Sequence, residues 1–133
     1  MKRKTVLVTS ALALLSLAGT AAAGVPGWAR IWHGTNLDVP SCKTSAISAV
    51  RSLTGVSPTV STIDSATVEI RGFTANEGIF AYCTGGATDI CPNRPVANLT
   101  ILTFSSAGPT AANNAATWVN AAFGNPILID CNR

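Results

Sequence analysis

The sequence predicts an α+β domain: a two-layer sandwich in which a mainly antiparallel sheet of three to five strands carries two helices on one face. Three observations predict it. Two stretches repeat their apolar residues every three or four positions, several short runs alternate apolar with polar side chains, and four cysteines follow an amino-terminal leader. The chain of 133 residues is 47% hydrophobic and 11% charged, which fits one globular domain and excludes disordered or collagen-like classes.

Ala29 to His33 is read as a short first strand, followed by the turn-like Gly34-Thr35-Asn36. From Ser41 to Thr54, Cys42, Ala46, Val50 and Leu53, with Ile47 alongside, stack on one helical face, with Pro40 at the entry and Gly55 at the exit. Ser57-Pro58 interrupts the pattern, and Val60 to Ser65 is read as an extended or looping connector. Ala66 to Phe73 alternates, with Val68 and Ile70 on one side and Thr67, Glu69 and Arg71 on the other. Thr74-Ala75-Asn76 suits a hairpin turn into Glu77 to Thr84, where Ile79, Ala81 and Cys83 share a face and Phe80 and Tyr82 share the opposite one. Val96 to Ser105 is apolar on both faces, as an interior strand is. A second helix runs from Gly108-Pro109 to Phe123, with Ala112, Ala115, Ala116, Val119 and Phe123 inward and Asn113, Thr117 and Asn120 outward. Ile127 to Ile129 completes the set as a short buried strand.

Residues 1–23 combine Lys2, Arg3 and Lys4 with an apolar stretch from Val6 to Ala18 and the small pattern Ala21-Ala22-Ala23. This is the pattern of a secretory signal peptide cleaved after Ala23, and the apolar stretch falls short of the ~20 residues that span a bilayer. Residues 24–133 then form the single mature domain. The formal charge of +3 resides in the leader, because the mature chain carries six basic and six acidic residues. They are scattered rather than clustered, which argues against nucleic-acid binding. An exported chain meets an oxidising compartment, so the four cysteines are read as two disulfides. Three pairings are possible. Cys83 with Cys91 across the short Gly-containing segment, and Cys42 with Cys131 from start to end of the domain, is the expected one. No close cysteine pair or histidine cluster suggests a metal, and no cofactor is implied.

His33 is the only histidine, so any imidazole-dependent chemistry must use it, with Asp38 as the nearest following acid. No serine stands in G-x-S-x-G or S-x-x-K, and H-E-x-x-H is absent, so no catalytic residue is nominated. The Asn98-Leu99-Thr100 sequon falls inside an expected strand and is read as accidental. Trp28 and Trp32, flanked by Arg30 and His33, admit two readings: they pin the terminus to the core, or they offer flat apolar surface to a sugar ring or a partner protein. Trp28, Trp32 and His33 are the candidate binding residues.

Glu69-Ile70-Arg71-Gly72-Phe73, Tyr82-Cys83, Leu99 to Phe104 and Ala107-Gly108, following a helix with an early cysteine and preceding an Ala-rich one, give the run Ser65 to Phe123 a distinctive order. In that order the chain resembles small exported bacterial proteins of unknown function. The resemblance implies an α-β-β-β-α core and a place in the cell envelope or outside the cell, but no catalytic residue. The loop Thr84 to Asn93 and the closing Ile127 to Ile129 run depart from it. The expected function is a secreted or periplasmic, noncatalytic domain that binds a protein, peptide or envelope component. The alternatives are a small hydrolase using His33 with a carboxylate, and an assembly component that pairs through a sheet edge.

Overall fold

The computed structural model describes residues 25–86 and 96–124. Its elements are β1 (Gly27–Gly34), α1 (Val39–Thr54), β2 (Thr59–Thr62), β3 (Thr67–Phe73), β4 (Glu77–Gly85), β5 (Ala97–Ser105) and α2 (Pro109–Phe123). The five strands form one sheet in the order β1-β5-β4-β3-β2, and every neighbouring pair is antiparallel. The fold is therefore α+β, as the periodicities predict.

Local chemistry shifts several boundaries. α1 starts at Val39 rather than Ser41 because the Asp38 side chain accepts a hydrogen bond from the Ser41 backbone N–H at 2.8 Å and caps the helix two residues earlier. Gly55 ends it in the left-handed region, at φ 72°, and donates its N–H to the Arg51 carbonyl. The connector expected over Val60 to Ser65 is in part the strand β2, since the β-branched run Thr59–Thr62 finds a partner in β3. β1 is longer than Ala29 to His33 because β5 offers a pairing partner at each of its positions. The expected leader 1–23 and the Ile127 to Ile129 strand lie outside the described residues.

Alternation along the strands gives the sheet two unlike faces. One carries Ala29, Ile31 and His33 of β1, Leu99, Ile101 and Thr103 of β5, Ile79, Ala81 and Cys83 of β4, and Ile70 and Gly72 of β3, as the pairing register requires. α1 adds buried Cys42, Ala46, Ala49 and Val50, and α2 adds Ala112, Ala115, Ala116 and Val119. Contacts from both helices land on this face. Cys42 bonds Cys83, Val50 lies against Gly72, the Thr103 hydroxyl donates to the Ala112 carbonyl at 2.6 Å, and Pro109 covers Gly27.

These contacts are close because small residues make them. A Cβ on Gly27 would fall 2.2 Å from the Pro109 Cα, and one on Gly72 would fall 2.5 Å from Val50 Cγ1. The fully buried side chains are correspondingly aliphatic or small, led by Ile70, Ile79, Leu99 and Ile101, with no ring among them. Trp118 of α2 is 57% exposed and donates its indole N–H to Ser52 of α1.

The disulfide corrects the expected pairing. Cys42, in the first turn of α1, is bonded to Cys83 in β4 across a Cα–Cα distance of 5.9 Å, so neither Cys83–Cys91 nor Cys42–Cys131 forms. The reason is tertiary: the first turn of α1 lies over the carboxy-terminal end of β4, where Cys83 faces the helices. Proximity in sequence favours Cys91, but packing has already placed Cys42 opposite Cys83. Cys91 and Cys131 lie outside the described residues.

Gly27→Ala should lower unfolding free energy by about 1–3 kcal/mol in urea titration, because backbone rather than a movable side chain opposes the new methyl group. Gly78→Ala, whose Cβ would meet only ring atoms at 3.4 Å and beyond, should stay within about 0.5 kcal/mol. Proteolytic mapping without reductant should yield a fragment pair joined through Cys42 and Cys83. Replacing both by alanine should cost about 4 kcal/mol on the chain-entropy relation for a separation of 41 residues.

Candidate binding face

The sheet face turned away from the named helix contacts is aromatic. Of the three tryptophans, one tyrosine and four phenylalanines in the chain, six belong to it: Trp28 and Trp32 on β1, Phe104 on β5, Phe80 and Tyr82 on β4, and Phe73 on β3. Strand pairing sets their rows. Trp28 opposes Phe104, which opposes Gly78, which opposes Phe73; in the next row Arg30, Leu102, Phe80 and Arg71 align; in the third, Trp32, Thr100, Tyr82 and Glu69.

Ring contacts hold this surface. Phe73 meets Phe80 edge to face at 5.9 Å between centroids, and Phe80 meets Phe104 in the same way at 5.9 Å. Such pairs add about 0.5–1.5 kcal/mol beyond the area they bury. The Phe73 ring also lies over Gly78, where β4 has no side chain of its own. The outer rings nevertheless remain open: Trp28 is 65%, Trp32 59%, Phe73 59% and Phe104 49% exposed. At one end, Pro26, Gly27, Trp28, Asn76, Gly78, Phe104, Ser105 and Ser106 border a shallow cleft of about 340 Å³.

Charge on the face is unequally compensated. Glu69 accepts the Tyr82 phenol at 2.7 Å and lies 3.0 Å from Arg71 Nε. The latter approach lacks hydrogen-bond geometry and is electrostatic, while Arg71 Nη2 donates to Ser61 at 3.3 Å. Arg30 is exposed between the two tryptophans of β1, opposite Leu102, and has no ion pair among the described residues.

The three residues singled out from the sequence are thus divided. Trp28 and Trp32 share the open face, separated by four residues, or about 13 Å of strand. His33 points to the helix side, where its Nδ1 donates to the Gly34 carbonyl at 3.0 Å and its Nε2 is hydrogen-bonded to the Asn120 side chain at 2.8 Å. Its ring also meets Phe123 edge to face at 6.3 Å. Asn120, expected to face outward, is drawn in by this bond. Both imidazole nitrogens are engaged, and Asp38 is engaged as the cap of α1. The hydroxyl and backbone N–H of Ser41 hold its carboxyl below the usual carboxylate range.

Residues missed in the sequence are Phe73, Phe80, Tyr82, Phe104 and Arg30. Their signal was parity: each stands on the strand positions opposite those of the buried aliphatics. Among the described residues no group of three or more His, Cys, Asp or Glu can hold a metal, and no helix is long and apolar enough to cross a membrane. No family model, curated protein or solved structure matches the chain.

Tyr82 is the only tyrosine and reports on this face. Desolvation, the hydrogen bond to Glu69 and the charge of Glu69 push its phenol up to about 12, against a smaller opposing effect of Arg71. Absorbance titration should therefore show ionisation near pH 12, returning toward 10 in Glu69→Gln. Since the folded state holds the proton more tightly, the corresponding stability is present below pH 10 and is lost as the pH rises from 10 to about 12.

Proposed function

We propose that this chain is a noncatalytic binding domain working outside the cytoplasm, and that it engages a protein, peptide or envelope component through the aromatic sheet face. One observation carries the reading: Trp28, Trp32, Phe73 and Phe104, rings that a folding core would bury, stand open to solvent on one face of the sheet. Retaining exposed tryptophans and phenylalanines on one face costs solubility, and a contiguous patch of this kind is a mark of an interaction surface. Trp and Arg together are the residue types that dominate binding energy at such surfaces. The leader pattern of residues 1–23 and the Cys42–Cys83 bond support an oxidising location.

The hydrolase alternative has less to support it. A general base needs a free imidazole nitrogen within reach of substrate, whereas His33 spends one nitrogen on Gly34 and the other on Asn120.

The oxidised domain, immobilised, should capture a component of an extracellular or envelope extract that the double variant Trp28→Ser, Phe104→Ser does not, although that variant stays folded with a thermal midpoint lowered by only a few degrees through loss of the Phe80–Phe104 contact. A control change at the exposed Asn113 of α2, Asn113→Ala, should leave capture intact. Equal capture by wild type and double variant would refute the reading.

A further inference from the structure

We infer that the outer edge of β1 is a docking site for an extended peptide segment that adds a sixth strand to the sheet, with an acidic side chain flanked by apolar ones on its outward-facing positions. The inference rests on the binding reading above and names the partner's chemistry.

The pairing register fixes which backbone groups are available. Thr35 donates its N–H to Ala97 of β5, so the odd-numbered residues of β1 direct their backbone groups inward to β5. The even-numbered residues Trp28, Arg30, Trp32 and Gly34 direct theirs outward. None of these four N–H groups has an acceptor among the described residues, and of the four carbonyls only that of Gly34 is bonded, to the His33 ring. The other sheet edge, β2, is four residues long, whereas β1 runs for eight without a proline, a lysine or a break in its register with β5. Shortness, prolines and bulges discourage strand addition, and β1 has none of them; Arg30 is its one formally charged side chain, and an acidic partner residue would turn that charge from a deterrent into a contact.

The same four residues place their side chains on the aromatic face, so backbone edge and side-chain surface are offered together. A strand laid antiparallel along β1 sets its residues directly opposite Trp28, Arg30 and Trp32, about 5 Å away. Complementarity then specifies the peptide as apolar, any residue, acidic, any residue, apolar. The carboxylate would compensate Arg30, the one cation of this face without a counter-charge among the described residues, and the flanking side chains would lie against the two indoles. A second copy of this chain fits less well, since the register that stacks Trp28 on the copy's Trp32 sets the two Arg30 guanidiniums opposite one another.

The test uses the oxidised full-length mature chain and an end-blocked heptapeptide with threonine at odd positions and valine, glutamate and valine at the second, fourth and sixth. Amide hydrogen exchange should show new protection at Trp28, Arg30, Trp32 and Gly34. The glutamate peptide should bind about tenfold more tightly than its lysine counterpart, and Arg30→Glu should invert that preference. Arg30→Gln, which removes charge without reversing it, should leave the two peptides equal. No protection at these four amides, a preference unmoved by Arg30→Glu, or dimers through β1 in sedimentation without peptide would each overturn the inference. If the amides stay unprotected while capture still depends on Trp28 and Phe104, strand addition fails and the binding reading stands. If both are lost, both fall.

Discussion

The close approach of two helices to one sheet face is the constraint on which the rest of the structure depends. Gly27 gives way to the first turn of α2 and Gly72 to Val50 of α1, and alanines line the inner stripes of both helices. A layer this thin is filled by isoleucine, valine and leucine, and its one ring pair among the described residues, His33 with Phe123, is only partly buried. The buried Cys42–Cys83 bond then ties the first turn of α1 to the central strand of the sheet, where the two layers meet.

Displacement of the rings follows from that thinness. Six aromatic side chains occupy the opposite face, where Phe73, Phe80 and Phe104 pack edge to face and no second layer covers them among the described residues. The division of labour is clean: one face of the sheet makes the core, and the other carries rings, one compensated ion pair and one uncompensated arginine. His33 belongs to the first of these, as a polar link between β1 and α2 through Asn120, and Trp28 and Trp32 to the second. Strand β1 is where the two meet, since among the described residues it is the longer unpaired edge and it bears Trp28 and Trp32.

Much of this was legible in local pattern. The stripe Cys42, Ala46, Val50 and the stripe Ala112, Ala116, Val119 are helical at any reading, and Ile79, Ala81 and Cys83 opposed to Phe80 and Tyr82 are a strand with two unlike faces. Even the separation of His33 from the tryptophans lies in the numbering, because positions 28 and 32 share parity in a strand and 33 does not. Grouping them by nearness in sequence overlooked that rule. The strand Thr59–Thr62 was less legible: four mostly polar residues carry little periodic signal, and only β3 alongside makes them a strand.

The sequence by itself determined the two helices, the strands β1, β3, β4 and β5 and the α+β class, because periodicities of two and of three to four residues are properties of neighbouring side chains. Only the tertiary structure decided that Cys42 meets Cys83, that Asn120 turns inward to His33, and that Trp28, Trp32, Phe73 and Phe104 stand exposed together on one face. These depend on where a helix comes to rest on a sheet, which is set by the summed fit of glycines and alanines across distant strands. No local spacing encodes that sum.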